Sequence, residues 1–547
     1  MNSSFTYIDY IIFGLYALVI LSVGLWVSRG KKGVKKTAQD YFLASKSLPW
    51  WAIGASLIAA NISAEQMIGM SGSGMAIGLA IATYEWMAAL TLIIVGKYFL
   101  PIFIEKGLYT IPEFIEKRFS NNLKTILAVF WIALFIFVNL TSVLFLGGKA
   151  IDTILGQGDG SMIFPAIIAL ALFAAAYSLY GGLAAVAWTD VIQVALLVIG
   201  GMITTVIALD HVTPDGGIFN GLDHIYNTAG DKFRMILKKS NPEFINLPGI
   251  GVLIGGMWIA NLYYWGFNQY IIQRTLAAKS LRESQRGIVF AAFLKLLIPL
   301  FVVIPGIIAY VMFTEPAGTA YIDGAQDAFI KADGAMNYDK AYPWLISTFI
   351  PTGLKGLVVA ALAAAIVSSL ASMMNSTSTI FTMDIYKPYF ARKNGPDKEV
   401  MVGRIAAGIA LVIAVMVAPM LGNLEQAFQY IQEYTGVVSP GILAVFMMGL
   451  FYKKANNTGA IIGVISSIPV ALALKLMPLE LPWMDQMLYT FLITVVVIMF
   501  VSLSTNKLDD DPKAINVTNA TFKTGPAFNI SAYVICIILV VLYAVFW

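Results

Sequence analysis

Ala59-Ala60-Asn61-Ile62-Ser63-Ala64-Glu65-Gln66, followed by Gly69, Gly72 and Gly74, interrupts an apolar stretch that covers residues 47–104. Polar side chains, a carboxylate and three glycines stand where a bilayer helix is ordinarily oily. Hydrocarbon offers no water to such groups, so they must face protein, a cavity, an ion or a solute. A second segment of this kind, residues 255–268, carries Gly255, Gly256, Asn261, Gly266 and Asn268 and opens the other half of the chain. Paired interruptions in two halves are the sequence mark of a secondary transporter built from repeats.

The surroundings agree with a membrane setting. The 547 residues are 59% hydrophobic and 12% charged, against about 25% charged in soluble proteins. Fourteen runs are long enough to span a bilayer at roughly 20 residues each, centred near Tyr16, Ile62, Leu92, Phe137, Leu170, Leu196, Asn261, Leu297, Ser368, Leu411, Val438, Ser466, Val495 and Ile538. The lone Cys536 excludes an internal disulfide. Both histidines, His211 and His224, fall in one hydrophilic loop, so no His-based metal site or proton relay is expected in the membrane. No nucleic-acid partner is expected.

Charge placement orients the chain. Residues 1–9 hold no Lys or Arg, whereas Arg29, Lys31, Lys32, Lys35 and Lys36 follow the first apolar run. A secretory signal has the opposite layout, so this run reads as a retained helix with its amino end outside. Basic loops then alternate: Lys106, Lys117 and Arg118; Arg274, Lys279, Arg282 and Arg286; Lys387, Arg392, Lys393 and Lys398; Lys453 and Lys454. The positive-inside rule puts these on the cytoplasmic side. With fourteen spans, both termini lie outside a bacterial inner membrane. The loops over residues 210–248 and 315–342 are then external, and the run Asp509-Asp510-Asp511-Pro512 is a solvated inner loop.

The organisation that follows is an extra helix with a basic loop (1–48), a five-helix repeat (49–207), an external loop (208–250), a second five-helix repeat (251–452) and three further helices (453–547). Five is odd, so the two repeats enter the membrane from opposite sides. Such inverted repeats put solute and ion sites near the midplane, beside interrupted helices. Gly69 to Gly74 mark the expected interruption in the first repeat. Gly255-Gly256 and Trp265-Gly266 mark it in the second.

Few ionisable groups sit deep in the spans: Glu65, Glu85, Asp190, Lys295 and Glu433. Each costs roughly 2.5–3.5 kcal/mol at a helix centre. Glu85 and Lys295 come from opposite halves. If they meet, the pair offers charge-assisted hydrogen bonds to sugar hydroxyls, or it is a structural ion pair locking the repeats. Lys97 and Lys355 lie near helix ends and are expected to snorkel.

Two neutral constellations stand out. Ser368, Ser372, Ser376 and Thr379 recur at three- and four-residue steps, so they share one helix face. That face reads as small-residue packing, or as part of a sodium site. A hard cation wants several oxygens, here the hydroxyls of Ser368 and Ser369 with carbonyls freed by a helix break near Ala59 and Ile62. The other cluster is aromatic and amide-rich: Asn261, Tyr263, Tyr264, Trp265, Asn268 and Gln269 with Phe428, Gln429 and Gln432. Amides bind sugar hydroxyls and aromatic faces stack on sugar rings, but the same residues also serve as interhelical packing.

Read together, these motifs are familiar. Ser47-Leu-Pro-Trp-Trp-Ala52, residues 59–70, Thr110-Ile-Pro-Glu-Phe114, Tyr177-Ser-Leu-Tyr-Gly-Gly-Leu183, Trp188-Thr-Asp-Val-Ile-Gln193, and residues 261–275 and 361–386 resemble the solute:sodium symporter family. The likeness runs almost end to end and is strongest to the bacterial sodium/galactose branch, related to the sodium/glucose cotransporters. It implies an all-α, five-plus-five inverted-repeat (LeuT-like) fold and co-transport of sodium, with no enzymatic activity. It implies a sodium site from the carbonyls of Ala59, Ile62 and Ala365 and the hydroxyls of Ser368 and Ser369. It implies sugar contacts from Gln66, Glu85, Asn261, Lys295 and Gln432. Tyr264 matches an inner gate, Met70, Tyr84 and Phe428 an outer hydrophobic cover, and Asp190 and Arg274 the inner exit path.

Two positions depart from the pattern. Ala88 stands where the sugar branch has a serine, which removes a hydroxyl contact of about 0.5–1.5 kcal/mol. Ala371 stands where some members have an additional serine, so one sodium per sugar is expected. The expected activity is sodium-driven import of a hexose, galactose or glucose, by a monomer or weak homo-oligomer. The rivals are the same fold carrying sialic acid, an amino acid or a vitamin, or a sodium-sensing or channel-like protein.

Overall fold

The computed structural model describes residues 5–29, 36–156, 159–314, 328–330, 334–391, 398–421, 427–477, 481–505 and 510–547. Lys31, Lys32, Lys35, Arg392, Lys393, Asp509 and most of the 315–342 loop lie outside them. Among the described residues the structure is helical, with two isolated β-bridges, Leu48 with Ala278 and Ile330 with Met336. A chain that must pair its own backbone groups in hydrocarbon has few other options.

Among the described residues twelve helices are long and apolar enough to cross a membrane, or up to 13 if one bent pair is a single span. They coincide with twelve of the fourteen expected runs. The two that do not qualify as unbroken spans are those centred on Ile62 and Asn261, the runs read as interrupted.

The first interruption lies upstream of the glycines. Trp50–Asn61 ends where Ile62 turns extended (φ −77°, ψ 98°). The helix resumes as a π-turn, Glu65–Met70, continued by Ser71–Ala76. Side chains close the gap: Gln66 Oε1 accepts from Ser63 N at 3.1 Å and from Ser63 Oγ at 3.0 Å, and Ser63 Oγ accepts from Glu65 N at 3.0 Å. This is the side-chain capping that short polar residues provide at a helix start. Gly69 to Gly74 therefore do not mark the break. They are helical and serve close approach: a Cβ on Gly72 would meet the Tyr338 carbonyl at 2.8 Å, and one on Gly74 the Val303 carbonyl at 2.8 Å.

The second segment bends at Gly255, where Pro242–Ile254 and Gly256–Phe267 meet at 79°. Its interruption is at Asn268, which is extended (φ −85°, ψ 121°) before Gln269–Leu276 resumes. Trp265 and Gly266 sit inside the π-turn Tyr263–Phe267. The registers correspond: 12 residues of helix precede Ile62, and Gly256–Leu262 and Tyr263–Phe267, of 7 and 5 residues, precede Asn268.

Burial separates centre from periphery. Within their most membrane-like stretches, the serine-bearing span Leu354–Tyr389 is 94% buried, against 22% for Tyr7–Ser28 and 17% for Pro526–Val545. The polar helix sits in the middle, and the uniformly oily ones face outward.

Several expectations about loops and charges change. The 210–248 loop is ordered, with a helix at Ile218–Thr228, and Lys232 reaches in to the Ala76 carbonyl at 2.5 Å. His211 ends the helix Leu183–His211, and its ring lies 5.4 Å from that of Phe349. Lys355 does not snorkel; it is buried and donates to the Ser347 carbonyl at 2.8 Å. Lys97 is half-buried, its ammonium 5.4 Å from the Tyr98 ring. Glu433 is not deep; it is half-exposed and paired with Lys475 at 3.1 Å. Asp511 is more than a solvated loop residue, because it meets the buried Arg118 at 3.2 Å.

Arg118 ties the ends of several helices together at one side of the bundle. Nε donates to the Gly449 carbonyl at 2.9 Å and Nη2 to that of Ala455 at 2.7 Å. Arg118→Ala removes the guanidinium from these carbonyls and leaves Asp511 without its cation. We expect a loss of about 3–5 kcal/mol, read as a lower melting temperature in detergent. Asp511→Asn, at a partly exposed position, is expected to cost no more than about 1 kcal/mol.

Candidate substrate and ion sites

The two breaks face one cavity, with about 770 Å³ of space between atoms when its open mouth is included. Gln66, Met70, Tyr84, Glu85, Asn261, Tyr264, Lys295, Phe428 and Gln432 all line it, and so does Ala88. These residues come from both halves of the chain. The break in each segment is what lets polar groups from mid-helix reach a shared space.

Glu85 and Lys295 meet. The buried Lys295 ammonium donates to Glu85 Oε2 and to Asn61 Oδ1, and lies 5.0 Å from the Trp265 ring centroid. Asn61 in turn donates through Nδ2 to Tyr264 Oη at 2.9 Å, and Tyr270 Oη donates to the same oxygen at 2.5 Å. A chain of charge-assisted and neutral hydrogen bonds thus joins the floor of the cavity to both broken segments. Burying one of these charges alone would be costly; each is offset by its partners. Asn261 Nδ2 is buried without a protein acceptor and is free to donate to an occupant.

The cover closes by ring packing. Tyr84 and Phe428 meet edge to face at 5.0 Å between centroids, and both are buried with Met70. Gly69 makes this possible, since a Cβ there would lie 3.0 Å from Phe428 Cβ.

The serine helix Leu354–Ile380 meets the first break directly. Ser369 Oγ donates to the Ala60 carbonyl at 2.9 Å. The α-helical donor for the Ala59 carbonyl would be Ser63 N, which turns to Gln66 instead. Ala59, Ile62, Ala365, Ser368 and Ser369 are all buried. The donor set is neutral oxygen, the chemistry a hard alkali cation accepts.

Asp190 and Arg274 do not line the cavity. They form a buried cluster around Ser56 and Ser368. Asp190 accepts from Ser368 Oγ at 2.6 Å and from Ser56 Oγ at 2.5 Å, and lies 3.6 Å from Arg274 Nη2. Arg274 also donates to Ser56 Oγ at 2.7 Å, to Ser372 Oγ and to the Tyr270 carbonyl. Ser376 donates to Gln273 Oε1 at 2.9 Å, and Gln273 Nε2 donates to Thr379 Oγ1 at 3.0 Å. The hydroxyl face beyond Ser369 is therefore occupied by the second broken segment.

Relatives share this architecture. The sodium:solute symporter family model matches residues 41–467. The chain is 65% identical to the sodium/glucose cotransporter of Vibrio parahaemolyticus, over 99% of its own length and 98% of that protein's. It is 34% identical to mouse sodium/glucose cotransporter 1, over 82% and 69% of the two chains. It is likewise 34% identical to human sodium/myo-inositol cotransporter 2, over 85% and 69%. The chain belongs to the sodium:solute symporter family. Its fold is also that of a solved Na+-coupled sialic acid symporter, with a TM-score of 0.78 at 23% identity, covering 94% and 100% of the chains.

The symporter is thus a multi-pass membrane transporter that couples a solute to sodium. Its cavity has lining residues that the sequence reading assigned no role, notably Asn61, Glu65, Thr435 and Ser439. Asn61 and Glu65 stood in the opening motif, and Glu65 also among the ionisable groups deep in the spans, but neither had a partner legible in the sequence. Glu65 accepts from Ser142 Oγ at 2.5 Å. Thr435 and Ser439 lie one turn and two turns beyond Gln432 on one helix face, a spacing that links them to it.

The network predicts an asymmetric response to substitution. Lys295→Met leaves Glu85 buried without its cation and is expected to cost the symporter about 3–5 kcal/mol. Glu85→Gln combined with Lys295→Met removes both charges and is expected to recover most of that loss. Thermal unfolding of the single and double variants in one detergent checks this.

Proposed function

We propose that this protein imports a hexose, glucose or galactose, with sodium by alternating access. The observation that carries the reading is the cavity joining Glu85, Lys295, Gln66, Asn261 and Gln432 beneath an aromatic cover. The named activity of the 65%-identical Vibrio protein supports the same solute class. Among the described residues lining the cavity, Lys295 is the sole cation, and it is held by Glu85 and Asn61. A carboxylated solute such as a sialic or amino acid would need a cation to spare; a neutral polyol does not.

In this reading the repeats are 49–207 and 251–452, inverted relative to one another, with fourteen spans once both broken segments are included. The amino-terminal unit 1–48 and the helices of 453–547 flank that core, and 208–250 is the external loop. The protein sits in the inner membrane with both termini outside, as a monomer or weak homo-oligomer. Matched breaks at Ile62 and Asn268 support the repeat assignment.

The contacts support the following cycle. Sodium enters among the carbonyls of Ala59, Ile62 and Ala365 and the hydroxyls of Ser368 and Ser369. It thereby props the first break open in the shape that orders Gln66 and Asn61. The solute then fills the cavity and exchanges hydrogen bonds with the charged network. Tyr84, Phe428 and Met70 close above it. The repeats rock, Tyr264 releases Asn61 and moves aside, and both solutes leave past the Asp190–Arg274 cluster. The driving force suffices. A charge crossing about 100 mV contributes roughly 2.3 kcal/mol, and a tenfold sodium gradient roughly 1.4 kcal/mol. Together they sustain sugar accumulation of roughly a few hundredfold.

Uptake of a panel of labelled hexoses into proteoliposomes, with and without a sodium gradient, tests the reading. We expect sodium-dependent accumulation of glucose or galactose; no hexose uptake would refute it. Ser369→Ala is expected to weaken sodium dependence by roughly tenfold or more. Gln432→Ala is expected to lower hexose affinity by roughly two- to tenfold while sodium affinity without sugar stays unchanged.

A further inference from the structure

A second cavity lies away from the transport path. It is a groove with about 720 Å³ of empty space between the start of the first broken segment, the long helix Leu281–Thr314 and the last helix Pro526–Val545. Trp50, Phe290, Phe293 and Phe528 give it an apolar wall, and Arg286 stands at its rim. Trp50 packs edge to face on Phe290 at 5.6 Å.

The groove's level in the membrane follows from its rim. Trp50 and Trp51 open their helix with both rings partly exposed, and tryptophans of this kind mark the headgroup layer. Exposed cations gather at the same end. Arg282 and Arg286 are one turn apart on a single helix, and Lys279 lies just before it. The backbone of Lys279 is bonded to the Leu48 carbonyl at 3.3 Å, next to Trp50. Lys523 is exposed five residues before Phe528. The one acid among them, Glu283, is already engaged: Oε2 accepts from Trp50 N at 2.9 Å and Oε1 lies 3.5 Å from Arg286. A charged rim over an oily slot matches an amphiphile with an anionic head.

We propose that this groove binds an anionic glycerophospholipid, with its phosphate between Arg282 and Arg286 and an acyl chain along Phe290, Phe293 and Phe528. Basic residues at the headgroup layer favour anionic over zwitterionic lipid, while the aromatic slot holds the tail. Bound there, the lipid bridges the first broken segment to the last helix.

Native mass spectrometry of the full chain, released from mixed phosphatidylglycerol and phosphatidylcholine, tests this. Wild type is expected to retain phosphatidylglycerol preferentially. Arg282→Gln with Arg286→Gln is expected to lower that retention by roughly tenfold or more, with melting in pure phosphatidylcholine unchanged. Ser531→Trp, which fills the groove and leaves the charges in place, is expected to lose the same lipid. Equal retention by the double variant, retention by Ser531→Trp, or equal retention of both lipids by wild type would overturn the proposal.

Discussion

A helix broken inside a bilayer frees carbonyl and amide groups that hydrocarbon cannot solvate, at a cost of several kcal/mol each. The rest of this structure answers that cost. Ser63 and Gln66 cap the restart at Ile62, Ser369 bonds the Ala60 carbonyl, and the helix that brings Ser369 there is itself deeply buried. The oxygens left over are the ones available to an alkali ion. In the proposed sodium site, structural need and ion chemistry thus arise from the same interruption.

The charged network obeys the same accounting. Glu85 and Lys295 are tolerated at depth because each neutralises the other and Asn61 adds a further acceptor. Asn61 belongs to the first broken segment and also bonds Tyr264 of the second. The contact that stabilises the buried charges therefore also joins the two broken segments, on which the proposed ion and solute sites depend. Sodium at the first break and a solute at Lys295 would act on one hydrogen-bonded unit, which gives coupling a physical route.

Much of this was legible in residue order. Glu85 and Lys295 were conspicuous because charges in apolar runs are rare, and their opposite signs in opposite halves argued for a meeting. The hydroxyl ladder after Ser368 was legible from its helical spacing, but its use was not. Ser372, Ser376 and Thr379 turn out to serve Arg274 and Gln273, because which neighbour covers a face depends on packing between distant segments. The glycines misled for a related reason. Gly72 and Gly74 permit close helix contact rather than a break, and only the position of Tyr338 and Val303 reveals that.

Hydropathy and charge order alone specify a polytopic helical membrane protein, its oily periphery and the two places where a span cannot be regular, because those properties follow from local transfer energies. Where the spans break, which serine meets which carbonyl, and that Asp190 bonds Ser56 and Ser368 rather than lining the cavity are matters of three-dimensional packing. They are set by contacts between residues more than a hundred positions apart, such as Ser369 with Ala60 and Ser368 with Asp190. No local periodicity encodes those distances.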